Sequence, residues 1–181
     1  GSPWNPDIRD PNSDGDNLFL SSILAVDADT GEYRWHYQTT PRDRWDYTAT
    51  QQITLAHLPL GEGGADRRVV MQAPKNGFFY VLDAADGELI SATPFTAQNW
   101  TTGEFDENGR PVLIQDAVDM ALTVVIPGPT GAHNWHPMAF NPDTGLVYIP
   151  VNEIPFFYDK TRNVEDSKSF WNLGYDAAAG W

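Results

Sequence analysis

Three stretches of the chain repeat one alternation of apolar and polar positions: ILAVDADTGEYRWHY (23–37), FFYVLDAADGELISA (78–92) and MAFNPDTGLVYIPVN (138–152). Each runs from an apolar segment into Asp or Asn, through a short polar turn that closes on glycine, and out along a second segment. Period-two alternation is shallow but present, as in Val26 and Ala28 against Asp27 and Asp29, or Leu146 and Tyr148 against Val147 and Ile149; it predicts paired strands. The turn glycines Gly31, Gly87 and Gly145 stand 56 and 58 residues apart. A tight connection there demands a positive φ, which glycine adopts freely. Hairpin repeats near 18–38, 68–92 and 134–152 mark an array. Helical pattern is scarce, and its best instance, Asp116–Leu122, is short and poorly capped. The expected fold is all-β: about three blades of a β-propeller, incomplete because a closed ring needs roughly four or more. A β-sandwich with similar hairpins is the competing architecture. Residues 39–66 and 92–131 carry little regular pattern and are expected as connections crowding one rim, where function concentrates. Residues 153–181 are expected as an irregular tail of one partial-propeller domain spanning 1–181.

Composition narrows the partners. The chain has 181 residues, 13% aromatic with seven Trp, and 15 Gly and 14 Pro, which suits a turn-rich globular domain. The net charge of −14 repels phosphate backbones, so nucleic acid is not expected as a partner, while a basic protein would be attracted. There are no cysteines, which removes disulfides, zinc–thiolate sites and thiol catalysis but leaves the compartment open. No apolar run approaches the ~18 residues needed to span a bilayer. No charged segment followed by an apolar one opens the chain, so a signal peptide is expected to be absent or already removed.

Candidate chemistry lies in three stretches. In DRWDYTATQ, Asp46 stands between Trp45 and Tyr47. A carboxylate desolvated by such neighbours would serve as a general base; it could equally bind a hard cation through oxygen, or be an ordinary surface aspartate. In QAPKNGFFYVLD, Lys75 precedes the turn pair Asn76-Gly77; a solvated turn lysine is the plainer reading. Lys75 lies 12 residues before Gly87 and Asn134 lies 11 before Gly145, so the two occupy nearly equivalent points of successive blades and would converge near the channel. In GPTGAHNWHPM, His133 and His136 are three apart, but Pro137 argues against the helix that would pair them as metal ligands. Trp135 beside Asn134 offers a flat apolar surface with an amide at its edge, which suits a planar, polar-edged ring.

The segments GSPWNPD, GDNLFLSSILAVDADTGEYRWHYQTTP, WDYTATQ, APKNGFFYVLD and PGPTGAHNWHPMAFNPDTGLVYIP resemble, in unbroken order over roughly residues 1–155, the quinoprotein alcohol dehydrogenases of the methanol and ethanol dehydrogenase type. The resemblance implies an eight-bladed propeller with Trp-docking motifs of the form Ala-x-Asp-x-x-x-Gly-x-x-x-Trp. Ala25, Asp27, Gly31 and Trp35 match that motif, whereas Ser91 and Ile149 stand where the later tryptophans would fall. It also implies roles. Asp46 would be the catalytic aspartate and a calcium ligand, abstracting the alcohol proton as hydride passes to pyrroloquinoline quinone (PQQ). Lys75 would bond the quinone oxygens, and Asn134 and Trp135 would contact the ring system. Lanthanide-using relatives carry a second aspartate two residues after the catalytic one; Thr48 holds that position here, so calcium is the expected metal.

By the same resemblance the substrate is a primary alcohol, the electron acceptor a cytochrome c, and the compartment the bacterial periplasm. Other calcium ligands, the vicinal cysteines, the tryptophan that floors the quinone and any haem c domain fall outside this chain. The segment alone is therefore expected to bind PQQ and Ca²⁺ weakly and to turn over little or not at all. The alternative expectation is a non-catalytic propeller segment that binds other molecules or self-associates through open blade edges.

Overall fold

In a computed structural model the chain is described over residues 15–60, 62–118 and 124–157. Its strands are β1 (Ser22–Val26), β2 (Tyr33–Gln38), β3 (Thr54–Leu58), β4 (Arg67–Gln72), β5 (Phe78–Asp83), β6 (Leu89–Pro94), β7 (Thr101–Phe105), β8 (Pro111–Leu113), β9 (Val124–Val125), β10 (Ala139–Asn141), β11 (Leu146–Tyr148) and β12 (Phe156–Phe157). All pairings are antiparallel. The middle repeat forms a four-stranded sheet, β3-β4-β5-β6, and the outer repeats are the two-stranded hairpins β1-β2 and β10-β11. This is a partial propeller, as the repeat implied. The stretches read as patternless nevertheless hold β3, β7, β8 and β9. Their alternation is lost because they are short and hidden among turn residues. The single described α-helix is one turn, Gln115–Val118; residues 119–122 of the expected helix lie outside the described residues. At the start of the expected tail, β12 pairs back onto β9, and residues 158–181 lie outside the described residues.

The three repeated turns are built alike. Asp27 Oδ1 accepts hydrogen bonds from the amides of Asp29 and Thr30, Asp83 Oδ1 from Ala85, and Asn141 Oδ1 from Asp143 and Thr144. In each, the glycine amide closes on the carbonyl of that same residue, at 2.9, 3.0 and 2.9 Å, with φ of +73°, +80° and +69°. A bulge falls at the same point of the first two hairpins, between Ala25 and Val26 and between Val81 and Leu82. The local chemistry explains why one sequence pattern recurs: the acceptor side chain replaces a backbone partner and glycine supplies the left-handed closure.

The Arg34 guanidinium and the turn amides hold Asp27 down at about 2, and the Ala85 amide with Arg67 lowers Asp83. Both carboxylates therefore bind a proton more weakly when folded than when unfolded. Their stabilisation is complete above the ordinary value of 3.8 and is lost as pH falls below it, for Asp27 towards about 2. Asp27→Asn keeps the acceptor that Asn141 already uses in the third turn. Thermal midpoints taken between pH 5 and 2 are expected to show a shallower acid decline for Asp27→Asn than for the wild type; an unchanged decline would remove Asp27 as a contributor.

Packing explains why the middle repeat reads as almost continuously apolar. Along β4 and β5, Val70, Phe78, Tyr80 and Leu82 face one cluster with Trp35 and Tyr37 of the first hairpin. Val69, Met71 and Val81 face the other cluster, against Met138, Phe140, Val147 and Ile149 of the third repeat. A sheet buried on both faces needs no polar alternation. Trp35 stitches the first two repeats together: its Nε1 donates to Ala84 O at 3.2 Å, and its ring lies where a Cβ on Gly87 would sit, 2.6 Å from Cε3. In the next hairpin Leu89 plays the same part, packed where a Cβ on Gly109 would sit. The buried aromatic rings among the described residues gather in the first cluster, with Trp100 contacting Trp45, Tyr47 and Phe78 at centroid distances of 5.8, 5.7 and 6.0 Å.

Candidate functional site

Each repeat contributes one loop to the site. Residues 39–51 follow the first hairpin, 73–77 enter β5, and 126–136 approach β10. Lys75 Nζ lies 2.9 Å from Asp46 Oδ2, with the side chains 10% and 21% exposed. The two residues are 29 positions apart in sequence, so the pair is a product of the fold. Both side chains are largely withdrawn from water, which strengthens their attraction relative to a surface ion pair.

The surroundings of Asp46 differ from the sequence expectation. Trp45 and Tyr47 flank it in the chain but do not enclose it. Their rings pack on each other at 5.5 Å and sink into the core, while Asp46 keeps partial solvent access. The reversal comes from the backbone, since Asp46 has φ of +62°, a conformation Asp tolerates better than most residues. Asp43 supports this turn. Its Oδ1 accepts the amides of Trp45 and Tyr47 at 3.0 and 3.1 Å, and its Oδ2 accepts from Ser21 Oγ at 2.9 Å. Burial pushes the Asp43 carboxyl above its ordinary range against the opposing pull of these hydrogen bonds. Burial likewise raises the Tyr47 phenol, with the Asp43 charge adding to it; that hydroxyl donates to Pro127 O, tying the Asp46 loop to the third one.

Lys75 sits in a loop locked on both sides. Buried Asn76 donates from Nδ2 to Thr39 O at 3.0 Å and accepts the Phe78 amide, while its carbonyl accepts Trp100 Nε1. On the other side the Lys75 carbonyl accepts the Ala132 amide at 2.9 Å. Gly131, at φ +81°, lets the lysine stem pass: a Cβ there would fall 2.3 Å from Lys75 Cγ. The two entering loops are therefore in contact. Their register differs slightly, Lys75 standing three residues before β5 and Asn134 five before β10.

The two histidines are not a metal pair. His133 is fully buried, and both ring nitrogens face carbonyl oxygens, of Ala73 and His136. The ring joins the residue two before Lys75 to the loop that carries Asn134 and Trp135. Asn134 Nδ2 donates to Thr130 O at 2.9 Å, leaving the buried Oδ1 of Asn134 and Oγ1 of Thr130 without partners. Trp135 is 87% exposed, its indole open to solvent. The structure thus brings Asp46 against Lys75 and sets the loop bearing Asn134 and Trp135 beside Lys75. Sequence reasoning missed Asp43, Gly131 and the role of His133. Asp43 could have been found, because Asp-x-Trp-x-Tyr repeats the spacing at which Asp106 accepts the amides of Asn108 and Arg110 in an ordinary turn.

Comparisons with known proteins agree with this architecture. A family profile, PQQ: glucose/ethanol/alcohol dehydrogenase, β-propeller domain, matches residues 4–99. The quinohemoprotein alcohol dehydrogenase ADH IIB of Pseudomonas putida is 56% identical over 183 aligned positions, covering 100% of this chain and 25% of that protein. The 1-butanol dehydrogenase (cytochrome c) of Thauera butanivorans is 45% identical, covering 96% of this chain and 26% of its own length. The crystal structure of quinohemoprotein alcohol dehydrogenase from Comamonas testosteroni superposes with a TM-score of 0.79 at 52% identity, over 88% of this chain and 24% of that one. The chain spans about a quarter of the length of the curated relatives it matches. With the profile covering more than half of its residues, the chain belongs to the PQQ-dependent alcohol dehydrogenase family and forms part of that family's β-propeller.

Proposed function

We propose that this segment supplies part of the active site of an enzyme that oxidises primary alcohols to aldehydes, with PQQ and Ca²⁺ bound and a cytochrome c as electron acceptor. The observation that carries the reading is the Lys75–Asp46 pair at 2.9 Å beside the 126–136 loop. The residues present fit a planar ring with polar edges. Lys75 offers an ammonium to carbonyl oxygens, Asn134 and Thr130 offer buried polar atoms without partners, and Trp135 offers an exposed flat face. PQQ, when bound, supplies a two-electron acceptor for the hydride leaving the alcohol carbon.

Asp46 takes the hydroxyl proton of the alcohol at its carboxylate as that hydride departs. Lys75 holds one oxygen of this carboxylate and so orients it. Its ammonium also favours negative charge on the acceptor's oxygens. Asn134 and Trp135 position the ring. Calcium takes roughly six to eight oxygen ligands. Asp46 would supply at least one, and no cluster of three acidic or histidine side chains gathers among the described residues. Thr48 in place of a second carboxylate favours a divalent over a trivalent ion.

The name of the Thauera butanivorans relative, a cytochrome c-linked 1-butanol dehydrogenase, supports the acceptor and the substrate class. The net charge of −14 suits a basic electron carrier, and the periplasm is the compartment this chemistry implies. Self-association through open blade edges has no supporting observation among these relatives. The test is reconstitution of the full-length protein with PQQ and Ca²⁺, followed by alcohol-dependent dye reduction. Reduction that requires both additions is the expected result. PQQ bound without turnover would overturn the enzyme reading in favour of a non-catalytic binding module, and the isolated segment is expected to be inactive in the same assay.

A further inference from the structure

We propose that Asp43 is a positioning residue that sets the reactive carboxylate of Asp46 through the backbone, an inference that rests on the reading of Asp46 as the proton acceptor. Asp43 is 2% exposed; its hydrogen bonds run to Ser21, Trp45 and Tyr47, and the Asp46 charge acts on it through space. Its Oδ1 accepts the amides on both sides of Asp46, those of Trp45 and Tyr47. Two amides converging on one oxygen draw residues 45 and 47 together, and the residue between them is thrown into the left-handed region at φ +62°. The result is a side-chain reversal. The two neighbours point into the aromatic core, and the carboxylate between them points out to Lys75.

The second oxygen of Asp43 fixes this turn to the first hairpin. It accepts Ser21 Oγ at 2.9 Å, and Ser21 O in turn accepts the amide and hydroxyl of Thr39 at 2.8 and 2.9 Å. Asp46 is thus held in register with the first repeat by Asp43 and meets Lys75 from the second repeat. A left-handed, non-glycine residue persists only where its surroundings over-determine it. Here the two amide bonds to Asp43 are that constraint. What the site needs from Asp43 is an acceptor of fixed length, which asparagine also provides.

The test uses the full-length holoenzyme carrying Asp43→Ala, Asp43→Asn or Asp43→Ser. Three quantities are read: kcat and KM for a primary alcohol, PQQ content by absorbance, and amide hydrogen exchange of the peptide covering 43–48. For Asp43→Ala we expect kcat to fall about 30- to 100-fold, because a misplaced reacting group is lost from the transition state more than from substrate binding. KM should stay within about threefold, PQQ content should be unchanged, and faster exchange should be confined to 43–48. Asp43→Asn should recover most of kcat and of the protection. Asp43→Ser, with a shorter acceptor arm, should fall between, and it carries the test if the alanine variant does not accumulate. Alanine or serine variants with wild-type kcat and unchanged exchange would overturn the proposal. So would an asparagine variant as impaired as alanine, since charge rather than geometry would then matter. Failure of the underlying reading shows separately, as retained activity on substitution of Asp46 itself.

Discussion

Replacing Asp46 by asparagine in the full-length protein is expected to lower kcat for alcohol oxidation by about 10³-fold or more, within or beyond the ~10²–10⁴ range for a lost general base. The substitution is close to isosteric. Asparagine tolerates the left-handed backbone found at this position, φ +62°, at least as well as aspartate does. Its amide oxygen can still accept from Lys75 Nζ, as Asp46 Oδ2 does at 2.9 Å. The amide cannot accept the alcohol proton. Fold, PQQ content and thermal midpoint should therefore stay near wild type while turnover collapses, with KM little changed. Alanine is the poorer probe, since it also strains the backbone and leaves Lys75 without its partner. Activity retained at the wild-type level in Asp46→Asn would remove Asp46 as the base.

The second large effect concerns stability and carries its own control. Gly31 and Gly87 close equivalent turns at φ +73° and +80°, so alanine pays the same left-handed penalty at both, about 1 kcal/mol. Around Gly31 a Cβ would meet nothing within 4 Å, whereas at Gly87 it would fall 2.6 and 2.8 Å from ring atoms of Trp35. Overpacking of that kind adds about 1–3 kcal/mol. Gly87→Ala is therefore expected to cost roughly 2–4 kcal/mol, and Gly31→Ala only the first part. Trp35→Ala, which empties the interface between the first two repeats, is expected to cost about 3–5 kcal/mol. In the double variant Trp35→Ala/Gly87→Ala the clash is absent, so its loss should be smaller than the sum of the two single losses. Denaturant or thermal midpoints measure all four proteins. Equal losses at Gly31 and Gly87 would show that the Trp35 contact does not lock the repeats.

Turn chemistry was legible in the sequence because it is local. Asp27, Asp83 and Asn141 each bond to amides two or three residues ahead, and glycine follows four residues after each. Such a unit shows itself in any five-residue window. Trp35 was legible as a docking residue through family resemblance, and the partner it docks on, the Gly87 turn, is itself one of the repeated units. The short strands β7, β8 and β9 were hidden, since two to five residues are too few for a period to register. At the site, the residue types were visible but the environment of Asp46 was not. Its sequence neighbours Trp45 and Tyr47 suggested an aromatic enclosure, and the left-handed backbone sent them into the core instead. Pro137 already spoke against His133 and His136 as a metal pair, but what His133 does instead showed only in the structure, where its ring nitrogens face the carbonyls of Ala73 and His136.

The amino-acid sequence by itself determined the repeat, its turns, the strand-rich class and the set of side chains available for chemistry, because each follows from interactions spanning a handful of residues. Only the tertiary structure decided which of those side chains meet. Asp46 reaches Lys75 across 29 positions, His133 reaches Ala73 across 60 and Trp35 reaches Ala84 across 49. Contacts at such separation are set by how the sheets pack face to face, and packing of apolar surface is non-directional and collective. No short run of residues encodes it.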